Sequence, residues 1–255
     1  MFRAWKVGRV AGIDVFLHPT LLLLLTLPQV SMGGAYGLAL ISAGFGCVLL
    51  HEFGHALMAR RFGIETVDIT LYPIGGVARL ERMPKAPGAE LLIALAGPAV
   101  NFAIVLGLML VSPFVHGRFL NELMFFNLIL GVFNLIPAFP MDGGRVLRAL
   151  LSGVLGRLRA TEVAAGIGKG LALLFGILSV CFLRWQPAVL SAFIFMAASA
   201  ELARVREEER ERRYDGDDGV WAAPPGYHWV ERGRGTWQLA PIIVSPNEGT
   251  QPQWR

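Results

Sequence analysis

Residues 36–62 read YGLALISAGFGCVLLHEFGHALMARRF, an apolar run with His51, Glu52 and His55 near its C-terminal end. The run is longer than the roughly 20 residues that a membrane-spanning helix needs. Residues four apart lie on the same face of a helix, so the two histidines can present their imidazoles to one metal ion. Glu52 lies beside them, where it can take a proton from a metal-bound water. Ionisable groups inside a membrane helix are costly and by default indicate function.

The rest of the chain is also apolar. Of its 255 residues, 54% are hydrophobic and only 16% are charged, whereas a soluble domain carries about 25% charged residues. Cys47 and Cys181 lie in apolar runs, which argues against a disulfide and against a cysteine-ligated zinc site. The composition predicts an all-α polytopic membrane protein with about six transmembrane helices. The predicted spans are 15–31, 36–62, 89–112, 119–138, 162–183 and 186–204.

Loops rich in basic residues alternate along the chain with loops that contain few of them. The net charge of +4 therefore indicates membrane topology and not nucleic-acid binding, because positive charge stays on the cytoplasmic side. Six spans satisfy this rule when both termini and the active-site side are cytoplasmic, which predicts a multi-pass cell-membrane protein. The basic residues on that side are Arg3, Lys6, Arg9, Arg60, Arg61, Arg79, Arg82, Lys85, Arg145, Arg148, Arg157, Arg159, Arg204, Arg206 and Arg210.

Two stretches outside the predicted spans have their own character. Residues 66–80 carry alternating and β-branched residues around Gly75 and Gly76, which predicts a small β insert of two or three strands between the second and third helices. Residues 205–255 form a predicted cytoplasmic tail with a charged extension of the last helix. Its end is either a small hairpin or loosely ordered. Residues 1–204 form the predicted membrane domain.

A carboxylate after the fourth span is a candidate third metal ligand. A catalytic zinc ion usually has three protein ligands and a water, and the two histidines supply two. Asp142 follows Pro137 and Pro140, which prevent a continuous helix. In the six-span topology it reaches the same membrane depth as the histidines. Its alternative role is to cap the short helix that begins near Gly144, and the two roles do not exclude each other.

These motifs, in this order, resemble the site-2 protease family of intramembrane zinc metalloproteases, in a compact form without CBS or PDZ domains. The resemblance implies one zinc ion per chain, bound by His51, His55 and Asp142, with Glu52 as the general base. It also implies catalytic or substrate-binding roles for four residues that do not bind the metal. Asn134 is a candidate to stabilise the oxyanion, and the candidates for substrate binding are Asn101, Gly75 and Gly76.

The resemblance implies hydrolysis of peptide bonds in or near transmembrane segments of membrane-tethered proteins. Such substrates include anti-sigma factors, pro-sigma factors and remnant signal peptides, and the edge of the β insert is a hypothetical binding site for an extended substrate. Two other functions stay open. A metal transporter would be expected to line a path with acidic or His residues on several helices, and an inactive relative would bind membrane proteins without cutting them. Helix–helix hydrogen bonding is the alternative role for both Asn101 and Asn134.

Overall fold

A computed structural model describes residues 4–26, 33–73, 75–82, 84, 86–115, 117–182, 185–220, 227–231 and 237–241. The chain divides into two compact units, Met1–Val205 and Arg206–Arg255. The first unit contains a four-stranded sheet, all of the candidate site residues and the apolar helices, the last of them up to Val205.

Four helices in the described part of the chain are long and apolar enough to cross a membrane. Helix α1 covers Gly34–Arg61, α2 covers Pro87–Val111 and α5 covers Arg157–Cys181. Helix α6 covers Trp185–Val220, and its candidate span is Pro187–Glu211. The prediction of a mostly helical polytopic membrane protein is confirmed.

Two shorter helices lie between α2 and α5. Helix α3 covers Arg118–Asn134 and, with 17 residues, is at the short end of the range for a span. The predicted span at 119–138 ends earlier than expected because the chain leaves the helix ahead of its two prolines. Helix α4 covers Asp142–Leu155. Gly144 lets α4 begin directly against the preceding loop, since a Cβ atom there would lie 2.5 Å from the backbone nitrogen of Phe139.

The sheet has the strand order β1-β2-β3-β4. Strand β1 covers Trp5–Val10, β2 covers Ile13–Leu17, β3 covers Thr66–Tyr72 and β4 covers Gly75–Leu80. The pairs β1/β2 and β3/β4 are antiparallel, whereas β2 and β3 are parallel. The predicted β insert is thus present, but it forms only half of the sheet.

The prediction of a first spanning helix at 15–31 is wrong over residues 15–26. Residues 15–17 belong to β2, and a 3-10 helix covers Pro19–Thr26; residues 27–31 lie outside the described part of the chain. The apolar run of leucines suggested a helix, but Ile13 and Val15 alternate into the core as strand residues do. A parallel partner from residues 66–72 could not be read from this local pattern.

The sheet packs on the part of α1 that carries the histidines. Ile13, Val15 and Ile69 from the sheet form a buried cluster with Phe53 and Ala56 from α1. Fully burying a side chain of the Ile or Phe type contributes about 1.5–3 kcal/mol relative to leaving it in water. This packing holds β3 and β4 beside the turn of α1 between His51 and His55.

The second unit contains a small antiparallel hairpin. Strand β5 covers Tyr227–Glu231 and pairs with β6, which covers Trp237–Pro241, with Trp229 opposite Leu239. The residues between and after these strands lie outside the described ranges.

Candidate metal centre

Three buried side chains from two helices meet at one point. His51 and His55 lie one turn apart on α1, and Asp142 is the first residue of α4. The Nε2 atoms of the two histidines are 3.1 Å apart, and each lies 3.1 Å from Asp142 Oδ2. The predicted alternative role of Asp142 as a helix cap does not apply, because Met141 occupies the N-cap position.

The other ring nitrogen of each histidine determines which atom faces this point. His55 Nδ1 lies 2.7 Å from the carbonyl oxygen of Ile93, and a carbonyl oxygen can only accept a hydrogen bond. His55 therefore carries its proton on Nδ1 and directs the lone pair of Nε2 toward His51 and Asp142. His51 Nδ1 lies 2.5 Å from Asn101 Oδ1, which favours the same tautomer.

The donor set fits a metal ion. Two imidazole nitrogens and a carboxylate oxygen converge with their lone pairs, which repel one another unless a positive charge lies between them. Neutral imidazoles held through Nδ1–H and a carboxylate are the usual surroundings of a protein-bound zinc ion. Among the described residues, His51, His55 and Asp142 are the group of three that could hold a metal ion.

Glu52 lies next to the three ligands and is held by β4. The Ala78 backbone N–H donates a hydrogen bond to the Glu52 carboxylate. Gly76 on the same strand touches the Glu52 side chain, and a Cβ atom at residue 76 would lie 2.5 Å from Glu52 Cγ. Strand β4 thus holds the Glu52 side chain in place. The sequence predicted that Gly76 contacts the substrate, whereas the described contact of Gly76 is with Glu52. Gly75 precedes it with a φ of 139°, which favours glycine.

Gly97 on α2 provides the space that the histidine rings occupy. A Cβ atom at residue 97 would lie 2.7 Å from His51 Nε2 and closer still to His55 Nε2. Gly97 and the two histidines lie on different helices, so local spacing in the sequence could not predict this contact.

The two candidate asparagines occupy different environments. Asn101 is fully buried, with Oδ1 toward His51 and Nδ2 donating to Asn127 Oδ1 at 3.0 Å. Asn134 is half-buried at the end of α3, and its Nδ2 donates to the carbonyl oxygen of Leu130 at 3.0 Å. The structure therefore brings Asn101 into the metal centre, whereas the described hydrogen bond of Asn134 is to its own helix.

A protein-family model matches the part of the chain that carries these residues. The model of peptidase family M50 matches residues 39–118 and 116–177, which include all three candidate ligands and Glu52. The chain belongs to peptidase family M50. Its membership in the site-2 protease family, predicted from the motifs, is confirmed.

Relatives and a solved structure agree with this assignment. The M50 chain is 42% identical over 215 residues to zinc metalloprotease MJ0392 of Methanocaldococcus jannaschii, covering 80% of this chain and 62% of that protein. It is 28% identical over 170 residues to stage IV sporulation protein FB of Bacillus subtilis, covering 66% and 57%. The structure of a site-2 protease from Methanocaldococcus jannaschii aligns with a TM-score of 0.63 and 38% identity, covering 78% of this chain and 95% of that one. The chain thus spans less than two thirds of the length of both curated relatives.

Proposed function

We propose that this M50 protein is a zinc-dependent intramembrane peptidase, which hydrolyses peptide bonds in or near the transmembrane segments of membrane-tethered proteins. The convergence of His51, His55 and Asp142 beside Glu52, in a chain with membrane-spanning helices, carries this proposal. The three convergent residues hold one zinc ion per chain.

The residues around the metal have separate roles in the proposed reaction. Zinc, when bound, acts as a Lewis acid that activates water and polarises the scissile carbonyl. Glu52 accepts the proton of the attacking water and delivers it to the leaving amine nitrogen. Asn134 uses one amide hydrogen for Leu130, and its second amide hydrogen is the proposed donor to the developing oxyanion.

The outer edge of β4 is the proposed binding site for the substrate backbone. A transmembrane substrate must unwind locally before attack, and its freed backbone groups need hydrogen-bond partners at membrane depth. Strand β4 is at the edge of the sheet, so an extended segment can pair with it. Because Ala78 and Gly76 contact Glu52, a segment on this edge lies beside the general base.

We propose that both termini and the active-site side are cytoplasmic. Strand β2 pairs with β3, which follows the C-terminal end of α1, whereas Gly34 begins the N-terminal end. These ends are about 40 Å apart for 28 residues. Strands β1 and β2 therefore lie at the end of α1 that carries the β insert. Arg60 and Arg79 on that side support a cytoplasmic location.

The structure bears on the two other functions. A transporter needs several sites along a path, and the described residues offer one cluster able to hold a metal ion. An inactive relative would not need a general base, yet Glu52 is held beside the ligands. Anti-sigma factors, pro-sigma factors and remnant signal peptides remain candidate substrates.

Reconstitution of the full chain in liposomes separates these functions. Zinc content, zinc flux and cleavage of a panel of single-span peptides are measured on the same preparation. Peptide cleavage without flux supports the proposal. Flux without cleavage indicates a transporter, and bound zinc with neither activity indicates a binding protein.

A further inference from the structure

A line of buried polar side chains leads away from His51 into the membrane helices. Asn101 on α2 accepts the hydrogen bond of His51 Nδ1 at 2.5 Å, and its Nδ2 donates to Asn127 Oδ1 on α3 at 3.0 Å. Asn127 Nδ2 in turn donates to the Leu123 carbonyl oxygen at 2.8 Å and contacts Cys47 Sγ at 3.2 Å. Both asparagines have no exposed surface.

The Leu123 carbonyl fixes the direction of every hydrogen bond in this line. A backbone carbonyl only accepts, so the amide nitrogen of Asn127 must face Leu123. The amide oxygen of Asn127 then faces Asn101, which must present its own nitrogen there and its oxygen to His51. His51 must therefore hold its proton on Nδ1, which leaves the lone pair of Nε2 free for a metal ion.

We infer that Asn127 is a positioning residue for the metal centre, which acts through Asn101 to fix the tautomer and orientation of His51. The inference rests on the metal centre in the proposed function and extends it to a residue on another helix. Loss of the hydrogen bond to the non-ligating ring nitrogen of a metal-bound histidine typically lowers metal affinity by about 10–100-fold. Without the Asn127 oxygen, the Asn101 amide can turn its N–H toward His51, which favours the tautomer that cannot ligate through Nε2.

Two substitutions at Asn127 separate orientation from packing. Asn127→Leu removes the acceptor for Asn101 and keeps a side chain that branches at Cγ. In the buried site, Asn127→Asp is a neutral acid that can donate to the Leu123 carbonyl and accept from Asn101. Cys47→Ala is the matched control, since it removes the neighbour on the other side of Asn127 and leaves the amide line intact.

The first measurement is zinc affinity, by competition with a chelator, on the detergent-solubilised full chain. We expect Asn127→Leu to weaken zinc binding by about 10-fold or more, Asn127→Asp to restore most of the affinity, and Cys47→Ala to bind zinc as wild type does. Wild-type affinity in Asn127→Leu overturns the inference. Equal losses in Asn127→Leu and Asn127→Asp overturn it as well, because packing alone would then explain both.

The second measurement does not depend on the folding of a variant. NMR of the zinc-loaded wild type with 15N-labelled histidine shows which ring nitrogen of His51 carries the proton. A slowly exchanging Nδ1–H supports the inference, and an Nε2–H overturns it. Absence of zinc binding in the wild type would contradict the proposed metal centre itself, whereas an unaffected Asn127→Leu variant would contradict only the role of Asn127.

Discussion

Gly97 lies so close to the ring of His55 that a Cβ atom at residue 97 would overlap His55 Nε2 and lie 2.7 Å from His51 Nε2. Helix α2 thus leaves space for the rings at this position. One turn to either side, the Ile93 carbonyl and the Asn101 amide accept hydrogen bonds from the two histidines. The metal centre depends on α2 although none of its three ligands lies there.

A side chain at residue 97 is therefore expected to disrupt metal binding. Gly97→Ala should weaken zinc binding by at least about 10-fold, because the added methyl group displaces the ligating nitrogens. Zinc affinity measured by chelator competition checks this. Gly107→Ala on the same helix is the control, since a Cβ atom there meets nothing within 4 Å. Wild-type zinc affinity in Gly97→Ala would contradict the described packing.

Gly76→Ala should have the opposite combination of effects. The new methyl group would meet Glu52 Cγ and displace the general base without touching the three ligands. We expect zinc content to stay at the wild-type value and the cleavage rate to fall by about 10²–10⁴, the usual contribution of general acid–base catalysis. Gly8→Ala, at an open glycine of β1, should preserve both. Loss of zinc together with activity would show that Gly76 supports the ligands instead.

The metal ligand on α4 can be tested without changing its shape. Asp142→Asn keeps the size of the side chain but removes the negative charge that a zinc ligand needs. We expect the variant to fold, because Met141 and not Asp142 occupies the N-cap position of α4, and to lose zinc during dialysis that leaves wild type loaded. Full retention of zinc by the variant would exclude Asp142 as a ligand.

The buried Arg148 ties together three helices. It donates to Glu90 on α2 and to Glu201 on α6, and its guanidinium lies 4.9 Å from the ring centroid of Phe139 in the loop before Asp142. Arg148→Met should lower the free energy of unfolding by about 3–5 kcal/mol, because Glu90 then keeps an unpaired charge in a buried site.

Unfolding by denaturant in detergent measures this effect. The double variant Arg148→Met/Glu90→Gln should recover part of the loss, since it removes the unpaired charge. Arg210→Ala, at a side chain that is 80% exposed, should change the free energy of unfolding by at most about 1 kcal/mol. An Arg148→Met variant as stable as wild type would show that the ion pairs contribute no net stability.

The sequence predicted the parts of this protein that depend on local spacing. His51, Glu52 and His55 lie within one helical turn, and Asp142 follows two prolines that end a helix, so both patterns could be recognised along the chain. The long apolar helices were predictable for the same reason. The mostly helical membrane fold followed from these runs, and the β insert followed from the alternating and β-branched residues at 66–80.

The relationships that join distant residues could not be predicted. Strand β2 pairs in parallel with β3 across about fifty residues of sequence. The apolar run of leucines beside β2 predicts a spanning helix, whereas the structure has a 3-10 helix there. Gly97 and Asn127 acquire their roles only when α2 and α3 pack against α1. The contacts of Ala78 and Gly76 with Glu52 likewise exist only because β4 packs against α1.

The central claim is that this chain hydrolyses peptide bonds with Glu52 as the general base beside a His51–His55–Asp142 zinc site. The most direct test compares cleavage of single-span membrane peptides by wild type and Glu52→Gln, both shown to hold one zinc ion per chain. We predict cleavage by wild type and a rate at least about 100-fold lower for Glu52→Gln. Cleavage by the zinc-loaded Glu52→Gln variant at the wild-type rate would contradict the account.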